Sequence, residues 1–112
     1  MSDPNPDLQQ LQSQLSDTMD QLNTALGTAT TADQAQAIAG QIGEVNHRIT
    51  LTGQLLFHAQ TQAITDAVKD VQAGAAAVDQ AIAQIANLVG FINTMSSFLG
   101  LVDKAIDAAK AL

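Results

Sequence analysis

The sequence predicts an all-α fold, either an antiparallel helical bundle or a long helical hairpin, made of three helices with coiled-coil-like packing. Apolar residues recur at alternating steps of three and four along most of the chain, which keeps one stripe of an α-helix facing a neighbour. They also make up 46% of the 112 residues, enough to build a core, while aromatic residues make up only 3%. Such a core suits closely packed helices, and we expect residues 1–112 to form a single domain.

The first predicted helix covers about residues 6–26. Asn5 is a good N-cap, Pro6 suits the first helical position, and Asp7 places a carboxylate near the positive end of the helix dipole. The apolar stripe that follows consists of Leu8, Leu11, Leu15, Met19, Leu22 and Leu26. Gly27 is typical of a residue that ends a helix.

The second predicted helix covers about residues 32–72, and Thr31 with Gln34 forms a capping box at its start. Its stripe consists of Ile38, Ile42, Val45, Ile49, Thr52, Leu56, Ala59 and Ala63. Three interior glycines each lower helix propensity by roughly 1 kcal/mol relative to alanine; they are Gly40, Gly43 and Gly53. Within so regular a pattern we interpret them as sites of close helix approach, although Gly53 could be a kink.

The third predicted helix covers about residues 75–110, after a chain reversal. One helix over 31–111 would be about 120 Å long, which does not fit a compact domain of this size. We therefore expect the reversal within 69–76, with Gly74 as the best candidate, and 93–97 as a weaker alternative. The apolar stripe also slips by one residue after Ala63, which fits either a stutter in one helix or a turn.

The longest apolar stripe, which we name the interaction seam, begins at Ile64 and ends at Ile106. Its members are Ile64, Val68, Val71, Val78, Ile82, Ile85, Val89, Ile92, Leu99 and Ile106. Branched aliphatic side chains in such numbers have to be removed from water. The sequence therefore predicts that the interaction seam packs against neighbouring helices, of this chain or of a partner.

Residues 80–102 contain no charged side chain and are long enough in principle to cross a bilayer. They contain more amide and hydroxyl side chains than an ordinary transmembrane helix does. A second set of apolar residues widens the stripe here, and we name it the broad face: Leu88, Phe91, Met95, Phe98 and Val102. Two interpretations stay open, the buried centre of a bundle and a face for a membrane or a partner.

The chain is acidic, with a formal net charge of −7 from 11 Asp and Glu residues against four Lys and Arg residues. Such a surface repels phosphate backbones, which argues against nucleic acid as a partner. Charged residues make up only 13%, about half the usual share. A surface this weakly charged favours association with a protein partner or with further copies of the chain.

Catalytic and metal-binding signals are weak. Glu44, His47 and His58 fall near one helical face, but the rise between the two histidines is about 16 Å, too far for a shared metal ion. The sequence has no cysteine, no zinc-protease motif, no phosphate-binding loop and no nucleophile elbow. We predict a non-enzyme without a metal or other cofactor.

Two functional hypotheses follow. The first is a helical interaction or assembly module that self-associates or binds a partner through its apolar stripes. The alternative is a membrane-active protein, a pore-forming or inserting component that uses residues 80–102. Residues 1–10 lack the basic and apolar regions of a signal peptide, so we expect a cytoplasmic location by default and leave secretion without a signal peptide open.

Overall fold

The computed structural model describes residues 3–111, and this part of the chain forms four α-helices. They are α1 (Pro6–Gly27), α2 (Ala32–Leu55), α3 (Gln62–Ala83) and α4 (Leu88–Lys110). The predicted all-α bundle is confirmed, whereas the predicted number of three helices is wrong.

The four helices form two antiparallel hairpins, α1–α2 and α3–α4, in a bundle of 47 × 22 × 18 Å. Helix α1 packs against α2 and α3, and α4 packs against α3 and α2, so α1 and α3 run parallel as neighbours. We name one end of the bundle the turn end, because it carries the turns at 28–31 and 84–87. The opposite end is the crossover end, where residues 56–61 pass diagonally from α2 to α3.

Helix α1 agrees with the predicted range to within one residue. The side chain of Asn5 accepts hydrogen bonds from the backbone N–H groups of Asp7 at 3.0 Å and Leu8 at 3.2 Å. The Asn5 N–H donates in turn to the carbonyl oxygen of Leu56, which ties the start of α1 to the crossover. The N-cap read from the sequence therefore also fixes the crossover end of the bundle.

The expectation of one helix over 32–72 is wrong, because α2 ends at Leu55 and α3 begins at Gln62. Thr61 starts the new helix, and its side chain accepts a hydrogen bond from the Ile64 N–H at 3.3 Å. Of the two explanations for the one-residue slip after Ala63, the turn is therefore the one that the structure contains. The slip lies only a few residues beyond the observed reversal.

The expected reversals within 69–76 and 93–97 are also wrong, because both segments lie inside helices. A Cβ atom added at Gly74 would lie 3.3 Å from Cδ1 of Leu101 on α4, so this glycine permits close approach of two helices. The chain reverses at 84–87 instead. There the side chain of Asn87 caps α4 by accepting a hydrogen bond from the Gly90 N–H at 3.1 Å.

Each helix contributes one stripe to a single apolar core. The largest fully buried side chains include Leu8, Leu11, Leu15, Leu22, Ile38, Val45, Ile64, Val68, Val71, Phe91, Met95 and Phe98. The smaller residues Ala105 and Ala109 of α4 are completely buried as well, near the crossover end. These contacts hold α1 and α3 side by side, and that pairing creates the groove described next.

Candidate docking groove

The structure divides the interaction seam into parts with different surroundings. Six of its members lie in the core of the bundle: Ile64, Val68, Val71, Val78, Leu99 and Ile106. Ile82 and Ile85 are half-buried, Ile92 is 43% exposed and Val89 is 71% exposed. The bundle itself therefore buries only part of the interaction seam, because the turn at 84–87 rotates the chain between α3 and α4.

The broad face is mostly buried. Phe91, Met95, Phe98 and Val102 are at most 2% exposed, and Leu88 is half-buried at the start of α4. Phe91, Met95, Phe98 and Val102 lie among the other core residues in this bundle, as the bundle-centre interpretation requires. Within residues 3–111, we find no helix that combines the length and the apolarity needed to cross a membrane.

A groove of about 560 Å³ lies between α1 and α3 near the turn end, and we name it the docking groove. It is lined by Asp20, Gln21, Thr24, Ala25, Thr28, Asp79, Ile82, Ala83 and Ile85. Several of the lining residues have short side chains, which do not fill the space between the two parallel helices. The groove is open to solvent along its length.

The docking groove has an apolar floor and an acidic rim. Ala25 is 9% exposed, and Ile82 and Ile85 are half-buried, so the apolar floor is only partly covered by the chain itself. Asp20 on α1 and Asp79 on α3 are both exposed along its walls. An apolar surface flanked by two carboxylates suits an amphipathic ligand with positive charge.

Gln21 also lines the groove. Its Oε1 atom is buried and has no hydrogen-bond partner within residues 3–111, and such an atom costs about 1–3 kcal/mol. Because less than 1 Å² of this atom is exposed, it is not part of the surface that a ligand in the groove would meet.

The charges of the bundle are segregated along its length. All four cationic side chains lie in the half nearer the crossover end: Arg48, Lys69, Lys104 and Lys110. The half nearer the turn end, made of residues 17–43 and 73–98, carries four acidic side chains and no Lys or Arg: Asp17, Asp20, Asp33 and Asp79. The docking groove therefore lies in a region of purely negative formal charge.

Two other surfaces offer a partner fewer features to recognise than the docking groove does. One is an exposed apolar edge on α4, formed by Val89 and Ile92. Ile92 lies two turns before Leu99, on the side of α4 that faces α2. A smaller groove of about 330 Å³ lies between α3 and α4, where Gly74 and Leu101 approach each other. No charged residue lines that smaller groove, so nothing there selects a partner by charge.

The polar residues singled out in the sequence lie on different parts of the bundle. His47 is exposed on α2, whereas His58 lies in the crossover. The Glu44 carboxylate accepts a hydrogen bond from Arg48 at 2.8 Å. Across residues 3–111, no group of three His, Asp or Glu side chains is placed to hold a metal ion.

Sequence reasoning named Ile82 and Ile85 but missed the docking groove itself. The groove requires α1 and α3 to be neighbours, and the residues that meet across it, such as Asp20 and Asp79, are far apart in the chain. The absence of Lys and Arg from residues 73–98 was the one signal available beforehand. Comparison of the chain with protein-family models, with curated proteins and with solved structures found no match.

Proposed function

We propose that this protein is a non-enzymatic helical interaction module that binds a segment of a partner protein in the docking groove. One observation carries the proposal: Ile82 and Ile85 are only half-buried, in an open groove between two parallel helices. A partner side chain that covers them would remove apolar surface from water, at about 25 cal/mol per Å². A bound partner thus covers apolar surface of Ile82 and Ile85 that the bundle leaves exposed to solvent.

The shape of the groove favours a macromolecular segment over a small molecule. Small-molecule sites enclose most of their ligand and place a few polar groups so that they converge on it. The docking groove is instead open and elongated, since its α1 wall extends from Asp20 to Thr28, about 12 Å at 1.5 Å per residue. A protein segment lying along α1 and α3 would use that full length.

Charge favours a different protein over a second copy of the chain. Two turn ends brought together would each contribute four carboxylates without a cation to neutralise them. Like charges in one interface destabilise it. Self-association through the apolar edge of Val89 and Ile92 would avoid this repulsion, and a mass measurement in solution distinguishes it from groove binding.

Membrane insertion through residues 80–102 would require a rearrangement that groove binding does not. Phe91, Phe98 and Val102 would have to leave the core, and each buried apolar side chain contributes about 1.5–3 kcal/mol to stability. Docking of a partner segment uses the bundle in the form described here. The geometry therefore favours the interaction module.

Site-directed cross-linking tests the proposal. Because the chain has no cysteine, Thr24→Cys places a single attachment point for a photo-cross-linker in the groove. Thr50→Cys is the matched control, since Thr50 is exposed on α2 outside the groove. We expect a cross-linked partner from cells of the source organism at position 24 only.

The partner must then be purified and its binding to the intact chain measured. We expect Ile82→Gln and Ile85→Gln to weaken binding, and Ile92→Gln on α4 to leave it unchanged. Equal cross-linking at positions 24 and 50, or equal weakening by all three substitutions, would contradict the proposal. A dimeric mass abolished by Ile92→Gln would point to self-association through α4.

A further inference from the structure

We infer that the docking groove recognises a basic amphipathic helix, an inference that rests on the proposed function and names the chemistry of the partner segment. Apolar side chains of that helix contact Ile82 and Ile85 on the groove floor. Lysine or arginine side chains on both flanks of the apolar stripe reach Asp20 on α1 and Asp79 on α3.

The helical form of the partner follows from the groove walls. The backbone N–H and C=O groups of α1 and α3 are used within those helices, so the walls offer no edge to which an extended peptide could add as a strand. A third helix can instead place its side-chain ridges in the channel between two parallel helices. A wall of about 12 Å accommodates about two helical turns, enough for anchors at positions i, i+3 or i+4, and i+7.

The positive charge of the partner follows from the polar groups at the groove. Asp20 and Asp79 are hydrogen-bond acceptors with negative charge, one on each wall of the groove. Donor-rich lysine and arginine side chains complement both carboxylates. The surrounding half of the bundle contributes two more carboxylates, Asp17 and Asp33, and no competing cation.

The same charges exclude other partner helices. An acidic amphipathic helix would meet the rim carboxylates with like charge, and a neutral apolar helix would leave them beside uncharged surface. Long-range attraction of a basic helix towards the turn end also makes association faster at low ionic strength. Binding through this groove should therefore weaken as salt is added.

The test is a selection from a display library of helical peptides of about 14 residues, four turns, with randomised charged and apolar positions. The full chain is the target, and peptides that also bind the double variant Ile82→Gln/Ile85→Gln are discarded. We expect the selected peptides to carry net positive charge and an apolar stripe. Their affinity for the intact chain is then measured by fluorescence anisotropy at several salt concentrations.

Two matched charge variants locate the recognition. Asp20→Asn/Asp79→Asn removes the rim, whereas Asp66→Asn/Asp70→Asn removes the same charge from α3 near the crossover end. We expect the rim variant to bind selected peptides about tenfold more weakly, as two ion pairs of modest strength imply, and to show a shallower salt dependence. The crossover-end variant should lose less than about twofold. Thermal unfolding checks that both variants remain folded.

The outcomes separate this inference from the proposed function. Selected peptides that are neutral or acidic, yet depend on Ile82 and Ile85, would overturn the basic-helix inference and leave the groove as a docking site. Equal losses from the two charge variants would likewise overturn it, because attraction would then come from net charge alone. Failure to select any groove-dependent peptide would overturn both.

Discussion

Arg48 on α2 and Asp103 on α4 are joined by two hydrogen bonds, from Nε to Oδ1 at 2.8 Å and from Nη2 to Oδ2 at 3.1 Å. The Nη1 atom also donates to the Glu44 carboxylate at 2.8 Å, one turn earlier on α2. The Arg48 side chain is 13% exposed, so this cation is largely covered where the two helices meet. It links the two hairpins of the bundle by a contact between residues that are distant in sequence.

We predict that Arg48→Met and Asp103→Asn are coupled in their effects on stability. Urea unfolding of the two single variants and the double variant should give a coupling energy of about 0.5–1 kcal/mol, the range of a partly exposed ion pair. Lys69→Met combined with Asp103→Asn is the control, because within residues 3–111 Lys69 forms no ion pair with Asp103. A coupling energy near zero for the Arg48 pair would show that the contact does not stabilise the fold.

The pH dependence of this contact follows from the Arg48 pKa. Burial lowers the pKa, but the hydrogen bonds and the charges of Asp103 and Glu44 outweigh burial and raise it. A raised folded-state pKa stabilises the fold at any pH below the unfolded-state value, and this contribution is lost only as pH rises through the folded-state pKa. Since Arg48 titrates only in strong alkali, the stability difference between wild type and Arg48→Met should stay constant between about pH 6 and 9. A difference that changed across this range would contradict the assignment.

Local sequence signals predicted the start of α1 well, because each acts within one helical turn. Asn5 caps the helix, Pro6 occupies its first position and Asp7 lies in its first turn. None of these effects needs a contact with a distant part of the chain. The turn at 84–87 could not be found in this way. The apolar spacing from Ile85 to Ile92 continues through it without interruption, and Asn87 is the only local capping signal.

The docking groove could not be predicted from the sequence, for a related reason. Its walls belong to α1 and α3, and their pairing depends on the diagonal crossover from α2 to α3. The spacing of apolar residues within one helix does not indicate which other helix packs beside it. Ile82 and Ile85 were recognised as apolar, but their partial exposure depends on the space left beside Ala25 and Ala83.

We predict that the same substitution at two positions of the interaction seam lowers the free energy of unfolding by very different amounts. Val78 is 1% exposed on α3, whereas Val89 is 71% exposed on α4. Val78→Ala leaves a cavity in the core and should lower the free energy of unfolding by about 1–2 kcal/mol. Val89→Ala should change it by less than about 0.5 kcal/mol, since the methyl groups already contact water. Equal losses in the free energy of unfolding, measured by chemical denaturation, would mean that Val89 is as well buried as Val78.

A further prediction concerns the cap that begins α4. Asn87→Ala removes the acceptor for the Gly90 N–H and should lower the free energy of unfolding by about 1 kcal/mol. Asn46→Ala is the control, because Asn46 is exposed in the middle of α2, where alanine favours the helix. If thermal unfolding places both variants at or above the wild type, Asn87 does not hold the turn at 84–87.

The last prediction compares two glycines that lie inside helices. Nothing lies within 4 Å of a Cβ atom added at Gly40, so Gly40→Ala gains helix propensity without a steric cost and should stabilise the protein by about 1 kcal/mol. The same atom added at Gly74 lies 3.3 Å from Cδ1 of Leu101 and 3.8 Å from Cδ1 of Phe98, so Leu101 has to move. Gly74→Ala should therefore be less stabilising than Gly40→Ala when both are measured by urea unfolding. The double variant Gly74→Ala/Leu101→Ala tests the cause by comparison with the single variant Leu101→Ala. Once the Leu101 side chain is shortened, alanine at position 74 should raise the free energy of unfolding above that of Leu101→Ala alone. If Gly74→Ala stabilised the protein as much as Gly40→Ala, the close approach of α3 and α4 at this position would not limit the side chain there.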